Sequence, residues 1–105
     1  MTLLVVRPLA ETDIQEASDW YEEQERGLGG RFLDELGETL ASVRRAPLQF
    51  PITWRTLHRA LLRRFPYAVY FVQRAEGRVV ILAVLHQRRA PGVWKSRLRT
   101  EGSAR

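Results

Sequence analysis

The sequence predicts an α+β domain in which a helical hairpin packs on one face of a mostly antiparallel sheet, in the order β-α-α-β-β-β. Two observations support this prediction. Apolar residues recur at helical spacing in two stretches near the amino terminus, and they form three strand-like stretches over residues 58–86 that are separated by turn residues. Because the connections are short, neighbouring helices and neighbouring strands are expected to be antiparallel.

The first two elements are a short strand and a helix. Leu3–Arg7 is a predicted strand, and the proline that follows it ends the ladder because it has no donor. Apolar residues then recur at one helical face, on Ala10, Ile14, Ala17 and Tyr21. The helix is expected to begin at a capping box of Thr12 with Gln15, or nearer Leu9. Its carboxylates, including Asp13, are predicted to lie on the solvent side.

A second helix follows a break at which Gly27 is the predicted stop of the first. Its apolar face is formed by Leu28, Phe32, Leu36, Leu40 and Val43, and it ends before Pro47. Gly37 lies in mid-helix, where glycine costs about 1 kcal/mol relative to alanine, so it either permits close packing or is merely tolerated. Ala46–Arg55 contains two prolines and is predicted to be an irregular loop folded onto the edge of the core.

The remainder predicts a β-meander. Its strands are His58–Arg64, Tyr67–Arg74 and Arg78–His86, with a break at Phe65-Pro66 and a hairpin turn at Ala75–Gly77. The second and third strands are apolar on both faces. They are therefore either a central pair covered within the chain or strands with a face that a partner covers.

Length and composition indicate one small domain. A chain of 105 residues supports a single core, predicted here as residues 1–98, with residues 99–105 as a polar, frayed tail. There is no cysteine and there are only two histidines, so neither a metal site nor a cofactor is expected. The apolar run Leu3–Val6 is too short for a signal peptide or a membrane span, which favours a cytoplasmic protein without membrane contact.

Charge is distributed unevenly along the chain. Residues 1–41 carry ten acidic and three basic side chains, whereas residues 42–105 carry two acidic and fourteen basic ones. Sixteen of the seventeen basic residues are arginine, which forms bidentate pairs with phosphate or carboxylate and exchanges protons poorly. The pattern favours binding of an anionic partner over lysine-type chemistry, although a GC-rich genome would also produce the preference for arginine.

A candidate site lies where the first and third meander strands end. These strands run parallel on either side of the second, so Arg63 and Arg64 are expected to converge with His86, Arg88 and Arg89 at one edge of the sheet. The cluster can bind phosphate, with His86 as candidate acid or base and with Arg64 and Arg88 beside it. Alternatively, His86 makes a structural hydrogen bond and the arginines form a solvated edge or face a partner protein.

Aromatic residues accompany these arginines: Phe65, Tyr67, Tyr70, Phe71 and Trp94. Cations interleaved with aromatics can bind single-stranded nucleic acid by stacking, whereas aromatics within a strand are more often part of the core.

Five motifs occur in a fixed order along the chain. They are D-I-x-E-A-x-x-W-Y-E (Asp13–Glu22), G-L-G-x-R-F-L-x-E-L (Gly27–Leu36), P-x-x-F-P (Pro47–Pro51), R-x-L-L-R-R-F-P-Y-A-V-Y-F (Arg59–Phe71) and V-L-H-Q-R-R-x-P-x-x-W (Val84–Trp94). In this order they resemble the RelE/ParE superfamily of type II toxins, nearer its ParE branch. The resemblance covers about residues 3–98 and implies the β-α-α-β-β-β fold predicted above.

The resemblance implies a small toxin that is encoded beside an antitoxin, forms a hetero-oligomer with it, and serves functions such as plasmid stabilization. A ParE-like toxin would inhibit growth without enzymatic activity by poisoning DNA gyrase, and its target surface would comprise Arg63, Arg64, His86, Arg88, Arg89 and Trp94. The alternative is a RelE-type, ribosome-dependent mRNA endoribonuclease. The RelE catalytic set includes lysines near the first meander strand and a tyrosine, whereas Thr56–Arg64 has no lysine and no tyrosine follows Arg89. The resemblance therefore favours the binding toxin.

Overall fold

The structure, a computed structural model, describes residues 2–103 and forms an α+β domain, as predicted. Its elements in chain order are β1 (Leu4–Val6), α1 (Pro8–Gln24), α2 (Leu28–Arg45), β2 (Ile52–Trp54), β3 (Leu57–Leu61), β4 (Tyr67–Gln73), β5 (Val79–His86) and α3 (Pro91–Ser103). The five strands form one sheet in the order β1-β5-β4-β3-β2. Only the β1–β5 pair in that sheet is parallel, so the mostly antiparallel sheet and its helical hairpin are confirmed.

The central strands β4 and β5 are covered on both faces within the chain. On one face, α1 and α2 pack on the sheet, and the buried side chains there include Phe32, Leu36 and Phe71. On the other face, Trp94 and Leu98 of α3 join a second buried cluster that contains Tyr70, Val80 and Leu82. The continuous apolar runs of β4 and β5 therefore follow from their position between two helical layers.

The helical hairpin begins near Leu9, the second of the two predicted starts, but it turns at residues other than those predicted. Helix α1 begins at Pro8 without a side-chain cap, and the Thr12 hydroxyl donates to the Pro8 carbonyl instead of forming a capping box. Gly27 has φ +87° and is the N-cap of α2 rather than the stop of α1. Gly37 has open space around its Cα, so it is tolerated there; the close contact is at Gly29, where a Cβ would lie 2.6 Å from the Ser18 carbonyl oxygen.

Two boundaries in the second half of the chain also differ from the prediction. The segment predicted as a loop, Ala46–Arg55, contains a 3-10 turn at Pro47–Gln49 and the edge strand β2. Strand β3 ends at Leu61, so Arg63 and Arg64 lie in the bend after the strand and not at its end. The bend forms because the backbone must turn before Pro66, which has no donor for the ladder.

The largest correction concerns the carboxyl-terminal segment. Residues 91–103 form α3, so the predicted domain boundary at residue 98 falls inside a helix, and the predicted frayed tail is wrong for residues 99–103. Trp94, Leu98 and Glu101 recur at helical spacing and are all buried. Residues 104 and 105 of the predicted tail lie outside the described residues.

Helix α3 is attached to α1 through an ion pair that also closes an open edge of the sheet. Strand β1 pairs only with Val79–Ile81, so the rest of β5 has no strand on that side. There, the Val84 N–H donates to Asp13 Oδ2 at 3.0 Å, and the Arg97 guanidinium donates to the Leu82 carbonyl at 2.8 Å. Arg97 and Asp13 are joined by two further hydrogen bonds of 2.9 and 3.0 Å. Asp13 is thus a buried anchor and not the surface charge that its position predicted.

A second ion pair holds the far end of α3. Arg7 donates to both oxygens of Glu101 at 2.9 and 2.8 Å, and Arg74 lies 3.8 Å from the same carboxylate. The hydrogen bond from Arg7 lowers the pKa of Glu101, and the charges of Arg7, Arg74 and Arg78 lower it further against the opposing effect of burial. The ionised form of Glu101 is therefore stabilised by folding.

We expect Asp13→Ala to lower the free energy of unfolding by about 3 to 5 kcal/mol, because it leaves the buried Arg97 charge and the Val84 N–H without their acceptor. Urea denaturation of the purified variant measures this loss. Glu23→Ala on the exposed side of α1 is the matched control and should change stability by no more than about 0.5 kcal/mol. Equal effects of the two substitutions would contradict the anchoring role of Asp13.

The Glu101 ion pair should make stability depend on pH. Because its pKa is lower in the folded chain than the ordinary 4.5, the pair stabilises the protein above that value and the contribution is lost as the pH falls through the folded pKa. Glu101→Gln should therefore be destabilising at about pH 7, and its difference from the native chain should shrink toward about pH 3. Denaturation series at both pH values test this, with Glu76→Gln in the exposed hairpin as control. A difference that is constant with pH would contradict the assignment.

Candidate functional site

The predicted site lies at the edge where β3 and β5 end, which we call the carboxyl edge (residues 62–67 and 86–89). The Leu62 N–H donates to the Tyr67 carbonyl at 2.9 Å, and the Gln87 N–H donates to the Pro66 carbonyl at 2.8 Å. Tyr67 is the strand partner of His86. The backbone segments that carry Arg63, Arg64, His86, Arg88 and Arg89 therefore meet on either side of the start of β4.

The side chains of this edge divide into two depressions. Arg63 and Arg64 line one against α2, whose Glu35 accepts hydrogen bonds from both of their backbone N–H groups, at 2.6 and 2.9 Å. The same depression is lined by Arg31, Asp34, Glu38 and Phe65. Both arginine side chains are exposed, but the carboxylates of α2 offset much of their charge.

His86 and Arg89 line the other depression, against α1. Its remaining walls include Asp13, Glu16, Trp20 and Tyr67. His86 Nδ1 accepts a hydrogen bond of 3.1 Å from the Arg88 N–H, and the ring meets Tyr67 edge to face at 5.5 Å. This is the structural hydrogen bond considered as the alternative role of His86, and it leaves Nε2 as the nitrogen that can exchange a proton with a ligand.

Tyr67 is the aromatic hydroxyl closest to this histidine in the strand register. Burial raises the pKa of Tyr67, and the charges of Asp13 and Glu16 raise it further, while Arg89 opposes them. Its phenol is therefore protonated near neutral pH and can donate a hydrogen bond but does not serve as a base.

The other aromatic residues proposed for the site are packed inside the protein. Trp94 is 8% exposed, and its ring stacks on Tyr70 at 5.2 Å and 15°. Phe65, Tyr70 and Phe71 are also buried. The prediction that Trp94 contacts a target therefore needs correction, because α3 turns its ring toward the sheet, and bases cannot stack on this aromatic set.

A second basic region was not predicted from the sequence. It lies at the opposite ends of the strands, where the β2–β3 turn and the β4–β5 hairpin are found, and we call it the hairpin edge (residues 54–56 and 74–78). Arg55, Arg74 and Arg78 come from these turns, and α3 adds Lys95 and Arg99. The Trp54 ring lies among them: Arg55 Cζ is 4.4 Å, Lys95 Nζ 5.2 Å and Arg99 Cζ 5.5 Å from its centroid. The sequence did contain one signal for this region. Lys95 and Arg99 are four residues apart, as are Trp94 and Leu98, and this double spacing indicates a helix with one basic and one apolar side.

The described side chains include no group of three or more His, Asp or Glu residues placed to share a metal ion. None of the helices within residues 2–103 combines the length and the apolar character that crossing a membrane requires.

Comparison with known proteins assigns the fold and the family. The family model described as the ParE toxin of the type II toxin-antitoxin system, parDE, matches residues 4–91. No curated protein matches the sequence at a significant level. Among solved structures, a chain of the chromosomal ParDE TA system from P. aeruginosa is similar, with a TM-score of 0.73 at 17% identity over 82% of this chain and 96% of that one. At that identity, the structural likeness concerns the fold.

Proposed function

The chain belongs to the family of ParE toxins of type II toxin–antitoxin systems, and on this premise we propose that it inhibits growth by binding and poisoning DNA gyrase. It would act in the cytoplasm and would be neutralised by a cognate antitoxin in a hetero-oligomer. The observation that carries the proposal is the carboxyl edge, where exposed Arg63, Arg64, Arg88 and Arg89 project from the end of a rigid sheet.

The chemistry of this edge favours binding over catalysis. Arginine is an effective hydrogen-bond donor to carboxylates and phosphates, but it does not give up a proton at neutral pH. His86 already uses Nδ1 in a backbone hydrogen bond, and the phenol of Tyr67 is protonated. A surface of this kind can hold an acidic or phosphate-bearing target without transforming it.

A ribosome-dependent mRNA endoribonuclease is the second candidate. It is supported by one observation, the shared depression in which His86 and Arg89 lie beside Tyr67. In that function, His86 Nε2 would move a proton and Arg89 would stabilise the negative charge that develops on the phosphate.

The antitoxin would bind where exposed apolar side chains lie next to cations. Leu48, Ile52 and Leu61 are 76, 58 and 50% exposed. Ile52 lies in the edge strand β2, Leu48 in the turn before it, and Leu61 at the end of β3. Arg63 shares a depression with Leu61 and Phe50 at this side. An antitoxin segment with alternating apolar and acidic residues would cover these side chains and place its carboxylates near Arg63.

A gyrase supercoiling assay with purified protein tests the primary proposal. We expect the native chain to inhibit supercoiling and its induction to activate DNA damage signalling. Arg63→Gln/Arg64→Gln should require about tenfold more protein for the same inhibition, because arginines in an interface often contribute more than about 1 kcal/mol each. Arg26→Gln/Arg45→Gln removes the same charge from the exposed side of the helical hairpin and should change inhibition little.

The same supercoiling assay, together with a translation readout and one further variant, separates the two candidates. Normal supercoiling together with immediate translation arrest, and with cleaved transcripts in primer extension, would overturn the gyrase proposal in favour of the ribonuclease. In that case, His86→Ala should reduce cleavage by about 100-fold or more, since a positioned acid or base contributes about that much. If gyrase is the target, His86→Ala should leave most of the inhibition intact.

A further inference from the structure

The hairpin edge differs from the carboxyl edge in how its charge is balanced. At the carboxyl edge, Glu16, Glu35 and Glu38 line the same depressions as the arginines. In residues 42–105, the only acidic side chains are Glu76, in the β4–β5 hairpin itself, and Glu101, which is already bound to Arg7 and Arg74. The cations of the hairpin edge and of the adjoining side of α3 (Arg55, Arg74, Arg78, Lys95 and Arg99) outnumber these two carboxylates, so this region carries an excess of positive charge.

The cations of this region are held close together on one aromatic ring. The Trp54 indole has Arg55, Lys95 and Arg99 within 5.5 Å of its centroid. The depression beside it is lined by Trp54, Arg55, Thr56, Arg74, Leu98 and Arg99, and no carboxylate is among these described residues. The indole offsets part of the repulsion between the cations, because its face is electron-rich.

The backbone at Arg55 also indicates a role for the side chain. Arg55 has φ 53°, in the left-handed region that glycine or asparagine adopts more readily. An arginine at this position of the β2–β3 turn is therefore less stable than a glycine in the same conformation. Its guanidinium is also the closest of the three cations to the Trp54 ring.

From these observations we infer that the hairpin edge and the exposed side of α3 bind the phosphodiester backbone of DNA, with Arg55 and Lys95 beside Trp54 contacting the phosphates. An acidic peptide is less suited to this region, because peptide recognition also requires apolar surface to bury, and here Leu98 is already buried and the Trp54 face carries cations. Arginine and lysine around an indole supply charge and hydrogen-bond donors, which is what a phosphate backbone requires.

A binding titration measures this site. A fluorescein-labelled duplex of about 20 base pairs, two helical turns, is titrated with the purified full chain between about 50 and 200 mM salt. For the double variant Arg55→Gln/Lys95→Gln, the plot of the logarithm of the binding constant against the logarithm of the salt concentration should be less steep by about two. Each lost phosphate contact lowers the magnitude of that slope by about 0.9. Arg26→Gln/Arg45→Gln, with the same loss of charge on the helical hairpin, should retain the native slope.

The single lysine permits a test on the native chain. Lys95 is the only lysine of the sequence, so acylation by an amine-reactive reagent, followed by peptide mass spectrometry, reports on this site. Saturating duplex should slow the acylation of Lys95 several-fold. Unchanged acylation at saturation would overturn the inference even if a variant failed to fold.

Three other results would also overturn the inference. The first is that the chain does not bind the duplex at about 50 mM salt. The second is that Arg63→Gln/Arg64→Gln lowers the salt slope as much as Arg55→Gln/Lys95→Gln does. The third is that poly-glutamate displaces the duplex at the same concentration of charge. The last result would identify an acidic protein segment as the partner. None of these measurements uses gyrase, growth or an antitoxin, so their failure is distinguishable from failure of the proposed function.

Discussion

The second layer of this domain depends on the ion pair between Asp13 and Arg97. Strand β5 is longer than its neighbour β1, and the part beyond Ile81 would otherwise present backbone groups with no strand to receive them. Asp13 from α1 and Arg97 from α3 meet at this edge and bond both to the strand and to each other. A buried backbone group without a partner is costly, as is a buried charge, so each part of the arrangement is stable only when the others are present.

Helical periodicity allowed α1 and α2 to be predicted, and continuous apolar runs between turn residues allowed β4 and β5 to be predicted. Neither signal depends on distant contacts, and this sets their limit. Periodicity could not show that Asp13 is buried, since its partner lies 84 residues away and an acidic residue on an amphipathic helix is normally exposed. Strand β2 was missed because it has only three residues and directly follows a segment with two prolines, Pro47 and Pro51. Helix α3 was missed because it opens with proline and glycine, which are typical of turns, and buries few apolar residues.

The sequence allowed the backbone segments of the candidate site to be brought together, but it did not show what surrounds their side chains. A meander brings the ends of β3 and β5 to one edge, and this follows from connectivity alone. The neighbours of Arg63 and of His86 come from α2 and α1, and which carboxylates lie there depends on how the helices pack. The hairpin edge was not predicted, because the spacing of Lys95 and Arg99 shows only a basic side of a helix and does not show that Arg55 lies in a turn beside it.

The family model ends at residue 91, which is also where α3 begins. In this protein, the stretch shared with the family therefore lacks the helix that shields Tyr70, Val80 and Leu82 from water. The thirteen residues of α3 therefore belong to the core of this domain as much as β4 and β5 do. A chain cut before α3 would present this apolar surface to water and would be prone to self-association.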